Sequence, residues 1–123
     1  MKNPKFVARK LLCKYNCQDI EELLSKIIRN ENIQLDYWPL IDVSGMFWHG
    51  IRGGKPTIVI NSQKPKDKQI IIMAHMLGHY FLDHGSQFCC LGQNTRIDMK
   101  EKQANEFATE LLERRKIFAE KLA

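Results

Sequence analysis

The chain has no long hydrophobic run. Its longest unbroken apolar stretch is Ile70–Ala74, far short of the roughly 20 residues a membrane-spanning helix needs. The basic start, MKNPKFVARK, has no apolar segment behind it, so it does not read as a secretory signal peptide. Cysteine is sparse, at four residues, and proline equally so. With no secretory signal, the cytoplasm is the expected compartment, and free thiols are expected over disulfides. Cys13 and Cys17, one helical turn apart, could join Cys89 and Cys90 in a four-thiolate metal site. That spacing matches no zinc ribbon, however, and inert thiols are the expectation. Internal repeats and low-complexity segments are also lacking. A membrane span is therefore not expected, and with 44% hydrophobic and 27% charged residues neither are the disordered, collagen-like and coiled-coil classes.

What is there is ordinary globular material. The 123 residues suit one domain over 1–123, long enough to bury a core without disulfide staples. Lys and Arg number 19 against 14 Asp and Glu, a net charge of +5. That excess permits an acidic partner without demanding one. The densest basic groups are Lys64, Lys66 and Lys68, and Arg114, Arg115 and Lys116. No aromatic residues interleave with them, as they would on a nucleic-acid platform. There is no helix-turn-helix signature and no basic recognition helix, so direct nucleic-acid binding is not expected.

Periodicity sets out the elements. Val7, Leu11 and Tyr15 form one face of a first helix from about Pro4. Asn16 reads as the cap of a second helix, in which Ile20, Leu23, Leu24, Ile27 and Ile28 make a core-facing stripe. Ile33, Leu35 and Tyr37 alternate as in a strand that Pro39 ends. Two antiparallel strands are expected around Gly53-Gly54, the second being the β-branched Thr57-Ile58-Val59-Ile60. A buried helix follows from about Asp67 to His84, capped by Gly85, then a loop over 86–94 and a last helix from about Asp98.

His75 and His79 stand four residues apart in the most apolar helix, so both imidazoles share one face and are close enough to hold one metal ion. Zinc peptidases of the H-E-x-x-H type carry a glutamate general base beside the first histidine; here that residue is Met76. His84 lies about 140° around the helix from His79, a poor ligand position. Glu101 borders the buried face of the last helix. On spacing alone it reads equally as a third ligand or as a first-turn glutamate favoured by the helix dipole.

The segment Ile72-Met73-Ala74-His75-Met76-Leu77-Gly78-His79-Tyr80-Phe81-Leu82, followed by Glu101-Lys102-Gln103-Ala104-Asn105-Glu106-Phe107-Ala108, resembles the ImmA/IrrE metallo-endopeptidases. Their signature is A-H-E-L-G-H-x-x-L, then E-x-x-A-N-x-F-A. Upstream, the Ala-Arg-Lys-Leu-Leu helix, Gly45 and the strand Lys55–Asn61 are similar too, so the resemblance runs from about Val7 to Leu112. It implies an α+β domain: a small three-stranded antiparallel sheet packed with about four helices, and a metal site between two helices. It also implies Zn²⁺ held by His75, His79 and Glu101. The partner implied is a protein, a helix-turn-helix transcriptional repressor of a phage, mobile element or stress regulon, or a toxin–antitoxin partner.

The chain departs from the family at Met76, since a thioether cannot take a proton from an attacking water. Glu106, about 140° from Glu101 on the helix, is a poor substitute base. Further on, where relatives continue with a proline and more helices, Glu113-Arg114-Arg115-Lys116 follows. The expected function is therefore a zinc-binding metallopeptidase domain acting on a regulatory protein, with impaired catalysis. The alternative is a protein-binding pseudopeptidase on the same fold. Two further expectations concern the surroundings. Asn105 should be buried against the metal helix and hydrogen-bonded there, because an unpaired buried amide is costly. The segment Met46-Phe47-Trp48-His49 should form a sheet edge where an extended peptide docks, with Trp48 as its platform and His49 as a polar contact.

Overall fold

The first helix, α1, runs Pro4–Lys14. The Asn3 side chain accepts from the Phe6 N–H, and Pro4 occupies the first turn, where its missing donor is not needed. In this computed structural model, residues 2–15, 17, 19–48, 54–84, 88–91 and 99–122 are described, 88–91 and 115–122 by their backbone alone. Helix α2, Ile20–Asn30, is capped by Asp19, whose carboxylate accepts from Glu22 N–H. The cap expected at Asn16 lies outside the described residues. The stripe itself forms as the spacing predicts, with Leu23, Leu24, Ile27 and Ile28 buried. Asn32 then takes a left-handed φ of 56°. The Ile33 N–H closes on Ile28 O at 3.0 Å, which turns the chain into the sheet.

The architecture is α+β, but the sheet is four-stranded and mixed, not three-stranded and antiparallel. Its strands are β1 (Gln34–Trp38), β2 (Val43–Trp48), β3 (Thr57–Asn61) and β4 (Phe88–Leu91), in the order β1-β3-β2-β4. Strand β1 is parallel to β3, while β2 is antiparallel to both β3 and β4. The reason is the link between β1 and β2. It does not close a hairpin but passes the end of β3, and buried Asn61 holds it there. Asn61 Nδ2 donates to Leu40 O at 3.2 Å and Val43 O at 3.0 Å, and its Oδ1 accepts from the Leu40 and Gln63 N–H groups. Space is thus left for β3 between β1 and β2, and β3 is buried along its whole length.

This order corrects the expected docking edge. β2 lies inside the sheet, and its backbone polar groups already face β3 and β4. The edges are β1 and β4. Phe47 fills the core, Trp48 is only partly buried, and His49 lies outside the described residues, as does Gly53 of the expected glycine turn. The segment read as a loop over 86–94 contains β4.

Helix α3, Lys66–Phe81, crosses the sheet and is buried continuously from Met73 to His79. Its approach depends on Gly45 of β2. A Cβ there would lie 2.8 Å from Ile72 Cγ2, 2.9 Å from Val59 O and 3.0 Å from Met76 Cε. Helix α4, Met99–Leu122, buries Ala104, Phe107, Ala108 and Leu111. No helix among the described residues is long and apolar enough to cross a membrane.

Tyr80 ties α3 to the end of α2, its hydroxyl donating to Glu31 Oε1 at 2.8 Å. Burial and the adjacent Glu31 carboxylate push the Tyr80 phenol up to about 12 from its ordinary 10.0. A raised phenol favours the folded state fully below its unfolded value and loses that contribution as pH climbs through the folded one. The stability of the wild type should therefore fall between pH 10 and about 12. Tyr80→Phe should flatten that fall and cost about 1 kcal/mol at neutral pH, as read by urea unfolding across the pH range.

Candidate metal centre

Three side chains converge where α3 meets α4. His75 and His79 come from successive turns of α3, and Glu101 from the first turn of α4. The two Nε2 atoms are 3.2 Å apart. Glu101 Oε2 is 3.1 Å from His75 Nε2, and Oε1 is 2.7 Å from His79 Nε2. One donor atom from each of the three lies within 4.8 Å of the others. Donors bound about 2.0–2.1 Å from one tetrahedral ion stand about 3.4 Å apart, so the cluster needs little movement to close on a cation. Two imidazoles and a carboxylate are also a donor set that suits a borderline-soft divalent ion. On spacing and chemistry the residues fit a metal.

Their charge states fit too. His79 is fully buried, and burial lowers its pKa, with the Glu101 hydrogen bond opposing, which favours the neutral ring that a ligand must be. Burial pushes the Glu101 carboxyl up, but hydrogen bonding to His75 and His79 reverses this and holds it well below the usual carboxylate range. Glu101 is accordingly an anion here, and its place in the first turn of α4 keeps it at the favourable end of the dipole. Of the two readings that spacing left open, the first-turn position is observed, and the carboxylate stands where a third ligand would.

The close crossing of α3 and α4 is made by small residues. A Cβ on Gly78 would stand 3.0 Å from Ala104 Cα and 3.1 Å from Ala104 O. Gly78→Ala gains about 1 kcal/mol of helix propensity but forces the α4 backbone away. We expect a net loss of roughly 1–2 kcal/mol together with weaker metal binding, read by thermal unfolding and by metal titration of the same variant.

The surroundings differ from the expectation at two residues. Asn105 is exposed, not buried against α3. The buried stripe of α4 is centred between Ala104, Phe107, Ala108 and Leu111, and at 100° per residue Asn105 lies about 110° from that centre and Glu101 only about 70°. His84, set aside on the helical wheel, is buried at 7% exposure beside His79. The wheel does not apply to it, because the helix ends at Phe81. Asp83 takes a left-handed φ of 56°. The Asp83 and His84 N–H groups then close on Tyr80 O and His79 O at 3.3 and 3.2 Å. That turn folds His84 back onto the site, where it meets Gln103, a residue the sequence pattern did not single out.

Met76 is fully buried, with its Cε close to Gly45. Cys13 and Cys17 are free thiols, one exposed and one buried; the side chains of Cys89 and Cys90 lie outside the described set.

No curated protein matches the sequence. Residues 36–123 do match the family model Peptidase_M78, the IrrE N-terminal-like domain. The matched region begins within β1 and takes in the rest of the sheet and both helices of the metal cluster. It is well over half of the chain, and the chain therefore belongs to the IrrE N-terminal-like family of metallopeptidases.

Proposed function

We propose that this protein is a zinc-binding metallopeptidase domain that recognises a regulatory protein, a helix-turn-helix transcriptional repressor, with catalysis impaired at residue 76. The observation that carries the reading is the convergence of His75, His79 and Glu101 in a family of metallopeptidases, with a methionine following the first histidine. Zinc held there would supply Lewis acidity, polarising a peptide carbonyl and making water more acidic. The chain's own residues orient the site: the two imidazoles come from successive turns of α3, burial favours the neutral ring of His79, and Glu101 supplies the one negative charge. What the chain lacks at position 76 is a group to accept the proton. A general base is worth about 10²–10⁴ in rate, so the favoured outcome is capture of the partner with little or no cleavage. The burial of Met76 against Gly45 supports the further reading of a pseudopeptidase that only binds.

The test is to incubate the zinc-loaded chain with the repressor encoded beside its gene, following complex formation and fragments together. A complex without fragments is expected. Rapid cleavage by the wild type would refute the impairment, and absence of any complex would remove the repressor as partner.

A further inference from the structure

The histidine array at the end of α3 continues beyond the ligands. His79 Nδ1 lies 2.9 Å from His84 Nδ1, and His84 Nε2 lies 2.8 Å from Gln103 Oε1. An amide oxygen only accepts, so the His84 ring must place its proton on Nε2 to meet Gln103. A neutral His84 then has a bare Nδ1. The proton in the Nδ1···Nδ1 contact then belongs to His79 once a cation takes the place of the proton on its Nε2. That atom is the one facing His75 Nε2 at 3.2 Å and Glu101 Oε1 at 2.7 Å, an arrangement that a cation between them satisfies.

We propose that His84 is a positioning residue of the metal centre. A Gln103–His84–His79 hydrogen-bond chain fixes His79 as its Nδ1–H tautomer and aims Nε2 at the ion. The inference rests on the zinc reading above for its consequence, though not for its geometry. Helix α4 supplies both ends of the device. Glu101 is the ligand, Gln103 two residues on sets the His84 tautomer, and Lys100 Nζ donates to His84 O at 3.1 Å. Docking α4 on α3 therefore assembles ligand and orienting chain in one step. The left-handed turn at Asp83 is what brings His84 within reach.

The test uses the full chain, with zinc affinity read by competition against a chromophoric chelator and ring tautomers read by ¹⁵N histidine NMR. His84→Leu should weaken zinc binding roughly 10–100-fold, the usual consequence of removing a group that orients a ligand. His84→Asn places an acceptor oxygen near the Nδ1 position and should restore affinity to within a few-fold of the wild type, which a role in packing alone would not predict. In the wild type, with or without zinc, His84 should carry its proton on Nε2. If His84→Leu does not fold, Gln103→Leu at a partly exposed position takes its place with the same expected direction. Unchanged affinity in a folded variant lacking the acceptor, or a His84 proton on Nδ1, would overturn the proposal. Failure of the wild type to bind zinc would instead refute the zinc reading, and the His84 tautomer would still decide whether the chain exists.

Discussion

Met76→Glu is expected to raise peptide-bond cleavage by zinc-loaded protein roughly 10²–10⁴-fold over the wild type, the range that a positioned general base contributes. A thioether has no lone pair basic enough for the task, whereas a carboxylate does. The substitution also carries a structural penalty. Met76 is 0% exposed, with its Cε close under Gly45, and a charged group pointed into that core costs more than the methionine it replaces. The metal-free variant should therefore be less stable by roughly 1–3 kcal/mol, and zinc should recover part of the loss by drawing the carboxylate toward the site. Met76→Gln has similar length and no basicity, so it should share the stability cost and stay at the wild-type rate. Equal rates for wild type and Met76→Glu at equal zinc content would show that residue 76 is not where the base acts.

Zinc itself should stabilise the wild-type fold strongly, because an ion held by His75, His79 and Glu101 would join α3 to α4. A ligand that binds only the folded chain adds about 2.7 kcal/mol at 100 times its dissociation constant, which for a chain of 123 residues is roughly 10 °C in Tm. Glu101→Ala removes one of three donors and the only anion among them. Structural zinc sites with a full ligand set bind with about 10–16 kcal/mol, so one lost ligand should weaken binding roughly 10²–10³-fold. At a zinc concentration that saturates the wild type, the Tm gain should nearly vanish in the variant, as scanning calorimetry would read. A full gain in Glu101→Ala would exclude the carboxylate as a ligand.

The parts of this protein visible in its sequence are those written by local periodicity. The α2 stripe of Leu23, Leu24, Ile27 and Ile28 and the four-residue spacing of His75 and His79 depend only on 3.6 residues per turn. Glu101 emerged from spacing as one of two readings and became a ligand candidate through the family resemblance. Strand order was not legible, because alternation in β1, β2 and β3 says which face is apolar and not which strand is the neighbour. The side chain that decides it, Asn61, acts on Leu40 and Val43, some 20 residues away in sequence. The run Phe88-Cys89-Cys90-Leu91 is too short and too unvaried to announce β4, which exists because β2 offers it an edge. His84 was misplaced because a helical wheel was carried past the last turn, where Asp83 reverses the chain. Asn105 was misplaced by the opposite fault: it shares a helix with the buried stripe but not a face.

The central claim is that His75, His79 and Glu101 form one metal site, and elemental analysis of chain purified without chelator tests it most directly. The account predicts one zinc per chain in the wild type and less than about a tenth of that in His75→Ala, since two remaining ligands leave no site that resists dilution. Sub-stoichiometric zinc in the wild type that His75→Ala leaves unchanged would contradict it.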